Sequence, residues 1–434
     1  METKPRRKVV PTMLKLYNTL SRKKETFRPM EDRRVRMFTC GPSIYRRPHL
    51  GNYRSFLWED VLQRYLEFKG SRVDRVLNFT DIEDKAISEA SREGLSVREL
   101  TEGIAKRFVS EARMLRIKLP PEIPRSSTSI DHAVRLIRVL LEKGYAYRHG
   151  GDIFFDPLRC ESFGRLFGVD MSRWPREKRR FRKDTYPGRR WNLGDFILWH
   201  GSKAGDQPSW DTEIGPGRPS WNIQDPAIIT QHLGFQVDLC CGGVDNLYRH
   251  HDYTLAVMEA ASGQEFARCW VHGEHLLVNG KKMSKSVGNI LYPEDLLENG
   301  GTPDHIRFYL LYGHHRKRIN LTRERFRERC RLLDDVRNRI GELMARVPLR
   351  GTPGGKPGKL GAGLLHGFQK AMDDDLNVLE ATRSVIRGLG ELLRIRDHGD
   401  LDTEQFLDIV AALHRIDSVL QFLLPPEHHE DEGP

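Results

Sequence analysis

The sequence predicts an α/β fold: a parallel sheet assembled from two halves of the chain, followed by a helical region. Three observations predict it. An apolar run at Val35 to Cys40 (VRMFTC), a stretch of helical period and a second run within RVDRVLNFTD stand in strand, helix, strand order. That is a βαβ unit, whose parallel sheet places its ligand at the carboxyl ends of the strands. Strand character returns at FQVDLCC, followed by GGVDN and another helix, as the second half of a split α/β domain would require. Beyond about Asp304 the apolar spacing is helical to the end.

In the first helix, within SFLWEDVLQRYLEFKG, Leu57, Val61, Leu62, Tyr65 and Leu66 recur at helical spacing and Gly70 supplies the stop. Leu95 to Tyr147 is mostly helical by period, GDIFFD reads as a strand, and roughly Cys160 to Trp221 reads as loop-rich, carrying most of the Pro, Gly, Trp and Arg. A helix is expected around His250 to Ala261, then a hairpin in HLLVNGKKM, where Asn279-Gly280 is a strong two-residue turn signal. The expected organisation is a basic extension at 1–12, an α/β domain at 13–303 with an insertion at about 95–221, and a helical region at 304–424. A Gly/Pro linker at 350–363 interrupts that region, and a disordered tail is expected at 425–434.

The 434 residues suit two or three domains, and an apolar content of 38% is ample for packing. A net charge of +11 favours an anionic partner such as nucleic acid or a nucleotide, although a basic surface also serves solubility. Six cysteines in a chain of this size make no disulfide scaffold. No apolar run follows the basic start METKPRRK, so no secretory signal, no membrane partner and a cytoplasmic location are expected. Cys160, Cys269 and Cys330 have no motif around them and read as structural.

Two short strings carry chemistry. In PHLGN, Pro48 to Asn52, His49 is a neutral donor near a helix start, and Gly51 admits a ligand close to the backbone. An ordinary capped turn would read the same way. In KMSKS, Lys282 and Lys285 follow the hairpin and can place mobile charges on a triphosphate, with Ser284 and Ser286 adding hydrogen bonds. A solvated basic loop is the bland alternative. The specific five-residue string, far downstream of HLGN and likewise preceded by strand character, argues against it.

Together the strings resemble the core of a class I aminoacyl-tRNA synthetase. The chain is similar in particular to the cysteinyl-tRNA synthetase family, through FTCGPSIYRRPHLGNYRSF, NFTDIEDKAI, GDFILWHGSKAGDQPSW, GPGRPSWNIQ, KMSKSVGN and AMDDDLNVLEA, in that order. The resemblance runs from about Met13 to Leu424. It implies a split Rossmann-like catalytic domain followed by a helical bundle, ATP with Mg²⁺, and an aminoacyl-adenylate passed to an acceptor. It further implies His49, Asn52, Lys282 and Lys285 as catalytic residues, and nucleotide contacts at Gly41, Gly51, Gly242, Gly243, Asp245, Ser284 and Ser286. Cys40, Thr80 and Trp221 would wall the amino-acid pocket, with Asn222 and Asp225 as its new polar groups.

The chain departs from that family in one place that matters. The family holds a zinc ion with two Cys, one His and one Glu, and the metal binds the substrate sulfur. Cys40 and His250 keep their positions, but the family's WHIEC reads WNIQD, placing Asp225 for the second Cys, and HHENE reads HHDYT, placing Thr254 for the Glu. The set Cys40, His250 and Asp225 predicts a weakened zinc site and altered side-chain specificity. The Asp225 carboxylate fits either a cationic or hydroxyl-bearing substrate or a structural hydrogen bond. The neighbouring Cys240-Cys241 pair fits either a new ligand or small apolar packing.

Members of the family continue into an anticodon-reading domain, which is not expected here because the sequence ends at Pro434. Two other readings follow: a ligase joining an amino acid to a small-molecule amine, similar to the cysteine ligase of mycothiol synthesis, and a non-catalytic tRNA-binding paralogue. One stretch argues for a tRNA acceptor end as partner. Residues 172–191 interleave Arg and Lys with Trp174, Phe181, Tyr186 and Trp191, suited to phosphates and stacked bases. A packed basic insertion would have the same composition.

Overall fold

The computed structural model describes residues 13–168, 179–180, 194–203, 208–345, 358–398 and 401–425. Four parallel strands form the central sheet: β1 (Arg34–Thr39), β2 (Arg72–Leu77), β3 (Val237–Gly243) and β4 (Ala267–Gly273), in the order β4-β3-β1-β2. Every residue of β3 is buried, as a strand covered on both faces requires. The chain runs from β1 outward to β2 on one side and from β3 outward to β4 on the other. The boundary between β1 and β3 is therefore a topological switch point, the place where open α/β sheets bind ligands. Cys40 and Gly41 follow β1 there, beside Gly242 and Gly243 at the end of β3.

Helix α1 (Leu50–Phe68) connects β1 to β2 and begins earlier than its apolar period indicates. Leu50, Gly51 and Asn52 form its first turn, so HLGN is a helix start and does not precede the helix as a separate loop. Polar residues at the start of an amphipathic segment hide its first turn from a periodicity reading. Helices α2 (Trp221–His232), α3 (Asp252–Ser262) and α4 (Pro293–Glu298) complete the surroundings of the switch point. A single π-helical turn at Leu247–His251 leads into α3.

Two strands correct the sequence reading. The stretch expected to be loop-rich contains the eight-residue strand Gly194–Gly201, which pairs antiparallel with Asp152–Phe155 and with Gly217–Pro219. Its buried apolar run, Phe196 to Trp199, is only four residues long and is surrounded by loop-forming composition. The strand Ile319–Leu321 lies inside the region expected to be helical and pairs parallel with Leu276–Val278. The expected hairpin forms, with Asn279 at φ 49° and Gly280 at φ 77° between Val278 and Lys281. The helix Lys359–Met372 begins inside the expected linker, while 350–357 lie outside the described residues, as do 1–12 and 426–434. No described helix is long and apolar enough to cross a membrane.

The helices Arg323–Met344, Lys359–Met372, Val378–Asp397 and Thr403–Leu420 pack beside α1 and share one apolar core with it. A buried arginine joins the parts. Arg307, in the helix Pro303–Leu311 and fully enclosed, donates to Asp60 Oδ2 of α1 (2.6 Å), to the Leu115 carbonyl (2.9 Å) and to the Leu420 carbonyl (2.8 Å). Burial pushes the Asp60 carboxyl up, but Arg307 and Arg64 outweigh it and hold the group below the usual carboxylate range. Arg307→Met leaves Asp60 buried with its principal cation gone. The expected loss is about 3–5 kcal/mol of stability in equilibrium denaturation; a loss under ~1 kcal/mol would show that Arg64 and the Lys118 amide hold Asp60 without it.

Candidate active site

His49 caps α1, and its backbone N–H donates to Asn52 Oδ1 at 3.0 Å. Asn52 thereby spends its carbonyl on the helix start and keeps its amide N–H groups for the cleft. His49 Nδ1 is buried without a hydrogen-bond partner among the described residues, and burial lowers the pKa of the ring, favouring neutral imidazole. A Cβ on Gly51 would stand 2.9 Å from Met283 Cε and 2.9 Å from His49 Cε1. Glycine here lets the methionine of KMSKS pack directly on HLGN.

The loop after the hairpin is held from within. Ser284 N donates to Asn289 Oδ1 (2.9 Å), Asn289 Nδ2 donates to the Lys282 carbonyl (3.2 Å), and the hydroxyls of Ser284 and Ser286 lie 3.2 Å apart. Lys282 Nζ reaches across to Asp245 Oδ2 at 3.8 Å, with both side chains more than half exposed. The side chain of Lys285 lies outside what the structure describes.

Glycines set the floor. A Cβ on Gly41 would overlap the Asn78 carbonyl, and one on Gly242 would stand 2.6 Å from His251 Cε1. One on Gly243 would stand 2.5 Å from Asp245 Oδ1. Between these parts lies a cleft of about 370 Å³ lined by His49, Asn52, Asp245, Ser284, Cys40 and Trp221. Gly41, Gly243 and Thr80 also border it, whereas Gly51, Gly242, Lys282, Ser286, Asn222 and Asp225 stand behind or beside it.

At the inner wall, Cys40 Sγ lies 3.5 Å from Asp225 Oδ2 and 3.4 Å from His250 Nε2, and His250 Nε2 lies 2.8 Å from Asp225 Oδ2. Asn78 Nδ2 donates to the other Asp225 oxygen at 2.9 Å. Trp221 stacks on His250 with centroids 4.0 Å apart and planes 5° from parallel. Cys40 and Asp225 approach the same ring nitrogen. A nucleophilic Cys-His-Asp relay needs them on opposite nitrogens, so this arrangement is not one.

The donors also fit zinc poorly. Two ligands held at zinc's short bond lengths stand about 3.3 Å apart, whereas the 2.8 Å contact of His250 with Asp225 is a hydrogen bond. Burial and the Asp225 charge push the Cys40 thiol well above its usual range. Thr254, at the family's carboxylate position, offers only a buried hydroxyl with no hydrogen-bond partner among the described residues. His251 is near enough to join Cys40 and His250, with donor atoms within 4.8 Å; its Nδ1 meets His272 Nε2 at 2.8 Å, and its Nε2 is buried without a hydrogen-bond partner among the described residues. Cys240 and Cys241 add no ligand: strand alternation sends them to opposite faces of β3, where each packs in a different apolar cluster.

Asn222 donates Nδ2 to the Ile197 carbonyl at 2.9 Å. Thr80 is buried and pairs by main chain with Pro42 and Ile44. Sequence reasoning missed Asn78, which also accepts the Gly41 N–H at 2.9 Å. A polar residue at the carboxyl end of a predicted parallel strand was the available signal. It missed Arg47 as well, whose position beside HLGN was the only hint. The basic stretch 172–191 falls outside the described residues apart from Arg179–Arg180, which pair with Gly194 and Asp195.

Comparison with known proteins agrees with this geometry. Residues 26–331 match the family profile described as tRNA synthetases class I (C) catalytic domain. Cysteine--tRNA ligase of Leptospira interrogans is 33% identical over 421 residues, covering 94% of this chain and 88% of that protein. The corresponding ligase of Chlamydia pneumoniae is 35% identical over 418 residues, covering 94% and 86%. Among solved structures, Mycobacterium tuberculosis methionyl-tRNA synthetase in complex with methionyl-adenylate shares the fold, with a TM-score of 0.61 at 16% identity over 90% of each chain. With its split parallel sheet, its two motifs facing one cleft and these relatives, the chain belongs to the cysteinyl-tRNA synthetase family of class I synthetases.

Proposed function

We propose that the protein activates an amino acid with ATP, passes the aminoacyl group to tRNA, and selects the side chain without the family's zinc. The observation that carries this reading is the cleft where HLGN, the end of β3 and KMSKS meet, beside a wall whose metal-ligand positions are changed. An amino-acid carboxylate oxygen attacks the α-phosphorus of ATP, the α–β anhydride bond breaks, and pyrophosphate leaves with the electron pair. Neutral His49 and the amide N–H groups of Asn52 donate to phosphate oxygens. Gly41, Gly51, Gly242 and Gly243 let the nucleotide approach the backbone, and Asp245 accepts from the ribose. Lys282 leaves Asp245 for the departing pyrophosphate, Lys285 assists it, and Ser284 and Ser286 add hydrogen bonds. Mg²⁺ would accompany the phosphates and offset their charge.

Thiol selectivity through zinc rests on a thiolate–metal bond. A plain pocket separates near-isosteres by only ~1–3 kcal/mol. Here the Asp225 carboxylate already has Asn78, His250 and Cys40 as neighbours, which supports its structural role over pairing with a cationic substrate. Cys40, Thr80 and Trp221 remain to contact the side chain.

ATP–pyrophosphate exchange across the twenty amino acids, with and without tRNA, tests the reading. Exchange is expected with an amino acid other than cysteine, and His49→Ala and Lys282→Ala are each expected to cut it by about 10²–10³-fold. Exchange with none would defeat the enzyme reading, and exchange with cysteine alone would defeat the altered pocket.

Metal analysis gives an independent check. The purified protein is expected to carry far less than one zinc per chain, and Asp225→Cys combined with Thr254→Glu is expected to raise this toward one. Stoichiometric zinc in the unaltered protein would refute the metal-free wall.

A further inference from the structure

One ion-pair network in the cleft wall is not accounted for by substrate contact. Arg47 lies two residues before His49, with its side chain only 14% exposed. Its guanidinium grips both oxygens of Glu294 on α4, and its Nε donates to Glu111 Oε1 at 2.7 Å. Arg107 bridges the same two carboxylates, at 3.1 Å to Glu111 and 2.8 Å to Glu294. Tyr53 OH of α1 donates to the remaining Glu111 oxygen at 2.6 Å. The Arg47 guanidinium also lies over the Tyr292 ring, 4.3 Å from its centroid.

Two arginines and two glutamates thus close a neutral cluster joining three elements: the β1–α1 loop, the helix Val97–Met114 and the segment through which the chain leaves KMSKS. A main-chain bond runs parallel to it, Leu50 N donating to the Leu291 carbonyl at 2.9 Å. The other end of the KMSKS loop is fixed by the hairpin and by the pairing of Leu276–Val278 with Ile319–Leu321. The exit end has no strand of its own. Beside that main-chain bond, the side-chain tie that holds it against HLGN is Arg47 with Glu294.

We propose that Arg47, with Glu294, is a positioning residue: a latch that sets the KMSKS loop at its working distance from His49. The proposal rests on the adenylate-forming reading above. Arg47 borders the cleft, but its guanidinium donors are taken up by Glu294 and Glu111. Its effect passes through Lys282, whose contact matters most when charge builds on the departing pyrophosphate, so a loosened loop costs turnover more than ATP affinity. Lysine cannot replace it, because an ammonium lacks the planar fork that spans two carboxylates.

The test uses the full chain carrying Arg47→Lys or Glu294→Gln, in pyrophosphate exchange with an amino acid that the unaltered protein accepts. A fall in kcat of about 10–100-fold is expected, with KM for ATP within about threefold and an unchanged unfolding midpoint. Glu294→Gln is close to isosteric at a half-exposed position and keeps the test readable should Arg47→Lys fail to fold. Limited trypsin digestion without ATP gives a second reading: cleavage at the lysines of the KMSKS loop is expected to be several-fold faster in either variant. Unchanged kcat and cleavage would overturn the latch, as would a KM rise with kcat preserved, or a rate loss matched by a fall in the midpoint. If the unaltered protein exchanges with no amino acid, the activation reading fails, and the cleavage rates alone decide the latch.

Discussion

Fully enclosed, the Asp225 carboxylate must have its acceptor capacity filled from within the protein, and neighbours on three other elements fill it. Asn78 comes from the end of β2, Cys40 from the end of β1 and His250 from the turn that leads into α3, while Asp225 itself sits on α2. The chain of bonds continues outward, since Asn78 also receives the Gly41 N–H. One carboxylate therefore fixes the spacing of the strand ends at the switch point and the orientation of the imidazole behind the cleft. Withdrawing any partner would leave a buried polar atom unpaired, at about 1–3 kcal/mol for a neutral group.

The two sides of the cleft are built for opposite purposes. The inner wall is buried and tied together through Asp225, which suits a surface that must keep one shape to discriminate a small side chain. The nucleotide side is open and lightly held. An exposed pair such as Lys282 with Asp245 contributes ~0–1 kcal/mol, so a polyphosphate can take over the lysine at little cost. Rigidity on that side comes from behind the loop, from Met283 seated on Gly51 and from the Leu50–Leu291 main-chain bond.

How much of this was legible depended on whether the determinant was local. The strands at VRMFTC and RVDRVLNFTD, the hairpin at Asn279-Gly280 and the candidate nucleotide glycines follow from apolar runs, turn chemistry and recognisable strings, all readable within a few residues. The strand Gly194–Gly201 did not stand out, because its identity comes from pairing with Asp152–Phe155 and from burial in an apolar core shared with α2 and α3, neither of which is written in its composition. Ile319–Leu321 is hidden for the same reason, being a strand only because Leu276–Val278 lies beside it. Among the candidate site residues, Asp225 and Thr254 could be singled out by resemblance alone. Asn78 and Arg47 required coordinates, since Asn78 meets Asp225 and Arg47 meets Glu111 and Glu294 only through the fold.

The changes at Asp225 and Thr254 are best understood as one electrostatic event. Two thiolates, a neutral imidazole and a glutamate carry three negative charges, and a divalent zinc reduces them to one. In this chain Thr254 carries no charge, and burial with the Asp225 carboxylate beside it pushes the Cys40 thiol pKa up. The enclosed wall thus holds fewer anionic ligands than the family's set. Had the family's glutamate stayed at position 254 beside a carboxylate at 225, two like charges would share a buried space with no cation between them, an arrangement that burial penalises severely. Loss of one ligand therefore makes loss of the other favourable, and the hydrogen bond between His250 and Asp225 occupies the contact that the metal bonds would have spanned.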